Sequence, residues 1–337
     1  MNQDLLTASV SSGAAAAAYI ACGAVPLSDW GVIEARGEDS ASFLHSQLTN
    51  SVQGMTAQRA RLAGYCSAKG RLLASFVVVQ PEPHRLWLLC SADLLAPTAK
   101  RLSMFVLRAR CKLADASAQR RVWGLVGQAA AQWLGPQAEQ AQAWQSGGRS
   151  AEPAADGTPA GCWVRLPDVH GLPRFLWLDD AQAAPPPLPS LNHDTWRWLE
   201  VGSAVPRVVA ATVEHFVPQM VNLELVGGVD FQKGCYPGQE VVARSQYRGT
   251  IKRRMVLMRA SGPLQPGADV VHPSDPGQPA GEVVLAAPAP APQAEGAAWH
   301  AVVEVKLAAV QAGLKFLSGG VDMEVSELPY PLPAEAA

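Results

Sequence analysis

No two of the six cysteines, Cys22, Cys66, Cys90, Cys111, Cys162 and Cys235, are spaced as a CxxC pair, and no histidine cluster accompanies them. Preformed zinc or iron–sulfur ligation therefore has no support in the sequence, and no metal ligand is assigned. A disulfide framework is not expected in a chain of this size without secretory features. Those features are missing: no Lys or Arg precedes Arg36, and Asp4 stands where a basic region would be. No apolar run reaches the roughly 18 residues that a membrane-spanning helix requires. The expectation is a cytoplasmic protein that makes no contact with membrane. Charge is scarce too, at 17% of residues with a formal net charge of -2. No global field draws such a chain to nucleic acid, and direct nucleic-acid binding is not expected.

What is present is apolar material, 48% of 337 residues, enough for a real core and by length roughly two domains. Residues 28–118 read as mixed α and β. WGVIEARG alternates like a strand, and SASFLHSQLTNSV has the Ser cap and apolar spacing of a helix. YCSAKGRLLASFVVVQ predicts a hairpin with Lys69-Gly70 at its turn, and HRLWLLCS a further strand. ADLLAPTAKRLSMFVLR predicts a helix presenting Leu94, Leu95, Leu102 and Phe105 on one face, and ARCKLADAS a closing strand. Hairpins around helices, with no Gly-rich loop after the first strand, predict an α+β unit rather than a dinucleotide fold.

Residues 119–178 repeat these elements more weakly around an Ala-, Gln- and Gly-rich tract, about 135–160, that reads as a flexible insertion. AQAAPPPLPS reads as a stiff spacer before a helix in LNHDTWRWLEVGSAVPRV that ends near Gly202. From about Arg253 the short strands and turns are spaced like a small β-barrel, interrupted by the exposed loop APAPAPQAEGA. The expected division is 25–250 for the first domain and 251–330 for the barrel.

DFQKGCYPGQEVVAR, residues 230–244, sets one thiol where packing gains little. Pro237-Gly238 predicts a type II turn, GGVDFQ a strand before it and QEVVARSQYRG a helix stopped by Gly249. Gly234 leaves Cys235 uncovered, Lys233 brings a positive charge, and the helix amides add more. Such settings lower a cysteine pKa from about 8.5 to between about 3.5 and 7.5. The alternative is a small residue filling a tight turn; Cys90 and Cys111, in apolar runs, read as buried fillers. Arg244, Arg248, Lys252, Arg253 and Arg254 follow with no acid between them, as either a solvated face or a seat for a multi-carboxylate ligand.

A longer pattern joins these residues: Phe216, Pro218, Gln219, Asn222, Leu223, Gly227, Gly228 and Phe231, then Lys233 to Glu240 as KGCYPGQE, then Val242 to Arg244. It resembles the signature of the YgfZ family, folate-binding proteins related to the aminomethyltransferase of the glycine cleavage system. Weaker agreement runs from LSDWGVIEARGEDSASFLHSQLTN through AKGR and LRARCKL into the barrel. The resemblance implies a ring-like folate-binding domain of the aminomethyltransferase type followed by a C-terminal β-barrel. It implies bound tetrahydrofolate, polyglutamated or not, and makes Cys235 the functional thiol, with Lys233 beside it.

By the same resemblance Trp30, after the L-x-D-W step, and Trp196, ten residues before Pro206, line the pterin pocket, where an aromatic plane stacks on a flat heterocycle. Glu200 in RWLEVG is the counterpart of a pterin-holding glutamate. Tyr236, Gln239, Glu240, Arg244 and Arg248 complete the expected site. Family members often carry Asp where this chain has Ser51, and the proton-transfer Asp of the related transferases has no counterpart. The expected function is an accessory factor for iron–sulfur enzymes or their cluster-assembly proteins, and indirectly for tRNA thiolation. The alternative is a folate-dependent one-carbon transferase. An RNA binder is disfavoured by net charge, and a thiol-exchange protein by the missing CxxC.

Overall fold

The computed structural model describes residues 22–149, 161–248, 251–290, 298–313 and 315–333. The N-terminal stretch expected not to be a secretory signal, residues 150–160 of the insertion, Gly249 as a helix stop and residues 291–297 of the exposed loop all lie outside the described residues. Among the described residues no helix is long and apolar enough to cross a membrane.

Two antiparallel five-stranded sheets and a barrel make up the fold. The first sheet takes the order β3 (Arg61–Cys66), β4 (Leu72–Glu82), β5 (Arg85–Ser91), β2 (Trp30–Arg36) and β6 (Lys112–Asp115). The second runs β1 (Gly23–Pro26), β7 (Arg120–Val126), β10 (Leu172–Asp180), β9 (Cys162–Val169) and β8 (Ser146–Gly148). Helix α2 (Ala92–Met104) lays Leu94, Leu95, Thr98 and Leu102 on the first sheet. Gly31 of β2 permits this, because a Cβ there would stand 2.2 Å from Leu95 Cδ1.

The barrel closes from β11 (Arg253–Ala260), β14 (Trp299–Lys306), β13 (Asp275–Pro288), β12 (Asp269–His272), β15 (Phe316–Ser318) and β16 (Val321–Ser326). Its last two strands were not visible in the sequence pattern. Along β11 the pleat divides the labour: Val256 and Met258 fill the barrel, while Met255 and Leu257 face out into the main core. Val284, Leu285, Ala287 and Val302 join them there, so barrel and sheets share apolar packing.

Four expectations need correction. The helix at SASFLHSQLTNSV is only α1 (Ser40–His45): Leu48 then bridges to Tyr65 and Thr49 N–H donates to Gly64 O, drawing the chain onto β3. Phe105 caps α2 and is exposed rather than buried on its face. GGVDFQ is not a strand; Gly227 has φ +81, and Thr49 and Asn50 side chains take the Gly228 and Gly227 carbonyls that a ladder would need. The tract from 135 to 149 is built in, with α4 (Pro136–Glu139) behind α3 (Gln128–Leu134) and β8 paired to β9.

Candidate functional site

Helix α5 (His193–Gly202) starts where the Asn192 side chain accepts from the Asp194 N–H. It buries Trp196 and Glu200, which stand one turn apart and so share a face. Trp196 lies on β7 at Gly124, where a Cβ would fall 2.5 Å from the ring. The guanidinium of Arg174 sits 5.2 Å from the Trp196 ring centroid, and that of Arg207 sits 5.0 Å from the Trp30 ring. These four side chains, with Glu200, Trp144, Phe76 and Leu166, wall a narrow slot whose free interior is about 30 Å³.

Arg207 is the hub. Its Nε and Nη2 grip Glu200 at 2.6 and 3.0 Å, Nη2 also donates to Asp29 at 3.1 Å, and Nη1 donates to Ser91 Oγ at 2.6 Å. Asp29 is held further by His193 Nε2 at 3.0 Å and Arg197 at 3.6 Å. Burial would raise the Asp29 pKa, but Arg207, His193 and Arg197 outweigh it and hold the carboxyl below its ordinary range. Arg207 is pushed the other way: burial opposes its charge, yet Glu200 and Asp29 fix it as a cation. On the far side of Glu200 and Arg207 opens a wider cleft of about 640 Å³, bounded by Asp29, Asp194, Arg197 and the barrel residues Leu264, Leu285 and Trp299.

The polar complement of the slot is incomplete. Trp30 Nε1, Trp196 Nε1 and Arg174 Nε are buried without a hydrogen-bond partner among the described residues. Buried donors rarely stay unpaired, and these three belong to residues that wall the slot together with Glu200. Glu200, although bidentate to Arg207, keeps lone pairs for further donors.

The cysteine motif lies elsewhere in the same domain. Tyr236-Pro237-Gly238-Gln239 is the expected turn: Gly238 has φ 79 and ψ 4, and Gln239 N–H donates to Tyr236 O. A Cβ on Gly238 would stand 2.4 Å from Ser67 O and 2.6 Å from Gly70, while one on Gly70 would strike Val241 at 2.8 Å. The hairpin turn and the motif turn therefore pack glycine to glycine. Lys233 Nζ donates to the carbonyls of His45 and Leu48 and lies 4.9 Å from the Tyr236 ring centroid. Burial pulls its pKa down to about 8, against the opposing pull of Asp230 and Cys235.

Cys235 itself is exposed. Helix α6 (Gln239–Tyr247) carries Gln239, Glu240 and Arg244, with Arg248 at its C-cap. The flanking motif residues hold this loop in place: Gln219 Nε2 donates to Val242 O at 2.8 Å, and Asn222 Nδ2 donates to Met255 O at 2.7 Å.

Of the expected residues, Trp30, Trp196 and Glu200 meet around the slot. Cys235, Lys233, Tyr236, Gln239, Glu240, Arg244 and Arg248 gather at the exposed loop and line neither hollow. The sequence reading missed Arg207, Asp29, Arg174 and Trp144. Arg174 could have been found, since it shares the inward face of β10 with Leu176 and Leu178. A charge in that register needs a reason.

An antiparallel two-sheet body with a closed barrel is the aminomethyltransferase-like architecture. The glycine cleavage system aminomethyltransferase T from Bartonella henselae superposes with a TM-score of 0.66 at 16% identity, over 95% of this chain and 89% of that one. No family model matches the chain. Three curated relatives share the name tRNA-modifying protein YgfZ. That of Edwardsiella ictaluri is 31% identical over 252 residues, 72% of each chain. Those of Colwellia psychrerythraea and Escherichia coli are 28% and 27% identical, over 70% and 72% of this chain and 71% and 73% of theirs. The chain belongs to the YgfZ family.

Proposed function

We propose that this protein binds tetrahydrofolate where the slot and the wide cleft meet, and that it supports tRNA modification, the activity in its relatives' name, as a binding factor. Trp30 and Trp196 supply the stacking planes, and Glu200 accepts from the N–H groups of the pterin. The orphan donors of Trp30, Trp196 and Arg174 supply what the pterin carbonyl accepts. The observation that carries this reading is that three residues walling one slot with Glu200 each hold a buried, unpartnered donor. The slot's present volume is too small for a bicyclic ring, so binding requires its walls to part, with the half-buried Trp30 the side chain freest to move.

The finer reading gives Cys235 a working role for iron–sulfur enzymes, among them those that thiolate tRNA. Its support is position: it is the exposed cysteine on a loop locked by two turns. Saturable quenching of tryptophan fluorescence by tetrahydrofolate tests the binding step. Trp30→Phe and Trp196→Phe should each remove part of the quench, and Glu200→Gln should weaken affinity by about tenfold or more. Linear, unsaturable quenching that is identical in all variants would sink the folate reading. Cys235→Ser should keep folate affinity and lose support of iron–sulfur enzymes in a deletion strain; full complementation would remove the thiol's role. Turnover of tetrahydrofolate to its methylene form would move the assignment to a transferase.

A further inference from the structure

Among the described residues the large apolar side chains left exposed are Met104, Phe105, Leu107, Tyr247 and Val325. Three of these fall within four positions, at and just past the end of α2, and Leu107 is 87% exposed. The segment is not loose. Phe105 N–H donates to Leu102 O at 3.0 Å, Val106 N–H to Ser103 O at 3.2 Å and Cys111 N–H to Ala109 O at 2.8 Å. Val106, Ala109 and Cys111 already turn inward and pack against the main core. Phe105 and Leu107 are thus surplus to the fold, held outward by a segment whose inward needs are met.

The surroundings are cationic, although the chain as a whole carries a net charge of -2. Lys100, Arg101, Arg108, Arg110 and Lys112 are all exposed around the apolar group. Arg110 is engaged by Glu38 at 2.5 Å and by Asp39 at 3.6 Å. Lys100, Arg108 and Lys112 have no ion-pair partner among the described residues.

We propose that residues 100–112 form a docking face for a protein partner that presents an acidic segment interspersed with apolar side chains. The cations match carboxylates, and the arginine forks match them two bonds at a time. Exposed Met, Phe and Leu at the centre of a charged ring are the layout of an interface with an apolar middle and a polar rim. Glu38 and Asp39 engage Arg110 within this field, so the cations left for a partner's carboxylates are Lys100, Arg108 and Lys112. The proposal does not rest on folate binding.

The test is photocrosslinking of the full chain in its host cells, with benzoyl-phenylalanine in place of Leu107 and, as control, in place of Val325. The expected result is a protein adduct from position 107 only, whose crosslinked peptide is rich in Asp and Glu. Arg108→Glu combined with Lys112→Glu should abolish it. The purified partner should then bind the wild-type chain at least about tenfold more tightly than Leu107→Ser, and more weakly as salt rises. Because Leu107 is almost fully exposed, that variant should melt like the wild type. An adduct with lipid only, an adduct with a second copy of this chain, a protein adduct that survives the charge reversal, or no adduct at all would each overturn the proposal.

Discussion

Histidine 300 shows how one side chain ties stability to pH. It lies on β14 and accepts a hydrogen bond from Trp198 Nε1 at 3.0 Å, and Trp198 in turn stacks on His170 at 4.8 Å. Burial first, then Arg259 and His170, push the His300 pKa down to about 4. The unfolded chain therefore binds a proton between about pH 6.5 and 4 that the folded state refuses, and stability falls as pH drops through that window. Urea midpoints measured from pH 7 to 4 should decline in the wild type and flatten in His300→Gln; equal slopes in both would discard this account. Asp29 acts lower on the scale. Its depressed pKa gives a contribution that is complete above its ordinary value near 3.9 and lost only below it.

The cysteines separate at the same scale. Burial pushes Cys66, Cys90 and Cys162 up to about 12, and Cys111 up to about 11, so they stay protonated thiols at neutral pH. A thiol reagent at pH 7.5 should find its fast-reacting group at Cys235, and Cys235→Ser should lose that phase. Retention of the fast phase would show that the accessible sulfur is another one.

At the level of elements, the two glycine turns make a sharp prediction. Gly238→Ala places a Cβ against the Ser67 carbonyl at a φ that side chains avoid, and should cost about 2 kcal/mol or more of unfolding free energy. An unchanged urea midpoint would mean that the turns do not abut.

The same elements show what a sequence can and cannot disclose. The Pro237-Gly238 turn was legible because its geometry is local, β2 because its alternation is, and β4 and β5 because their apolar runs are short and bounded. Helix α5 was legible from its Gly202 end with Pro206 beyond, whereas Trp196 and Glu200 were pointed out by the family resemblance and not by local pattern. The shortened α1 was not legible, since Leu48 leaves the helix for a partner 17 positions away in the chain, Tyr65. Nor was Arg207, whose importance comes from Asp29 and Ser91, more than a hundred residues upstream. The irregular path of 227–235 was hidden for the same reason: Thr49 and Asn50 supply its bonds from far away in sequence.

For the whole molecule, the question is whether barrel and sheets act as one body. We propose the division near residue 251 as a boundary of architecture rather than of stability. Met255, Leu257 and Val302 belong to the main core, Trp198 bonds to His300, and Arg254 pairs with Glu224 across the junction. Thermal unfolding followed by calorimetry should therefore show one transition, and Leu257→Ala should lower it by several degrees without splitting it. Two resolved transitions in the wild type would make the barrel an independent folding unit.

The contact between Gly70 and Gly238 reaches further than shape. With backbone against backbone, the loop that carries the sulfur has no slack of its own. The turn beside Cys235 is thereby a platform continuous with the β3–β4 hairpin, so any shift of one is transmitted to the other.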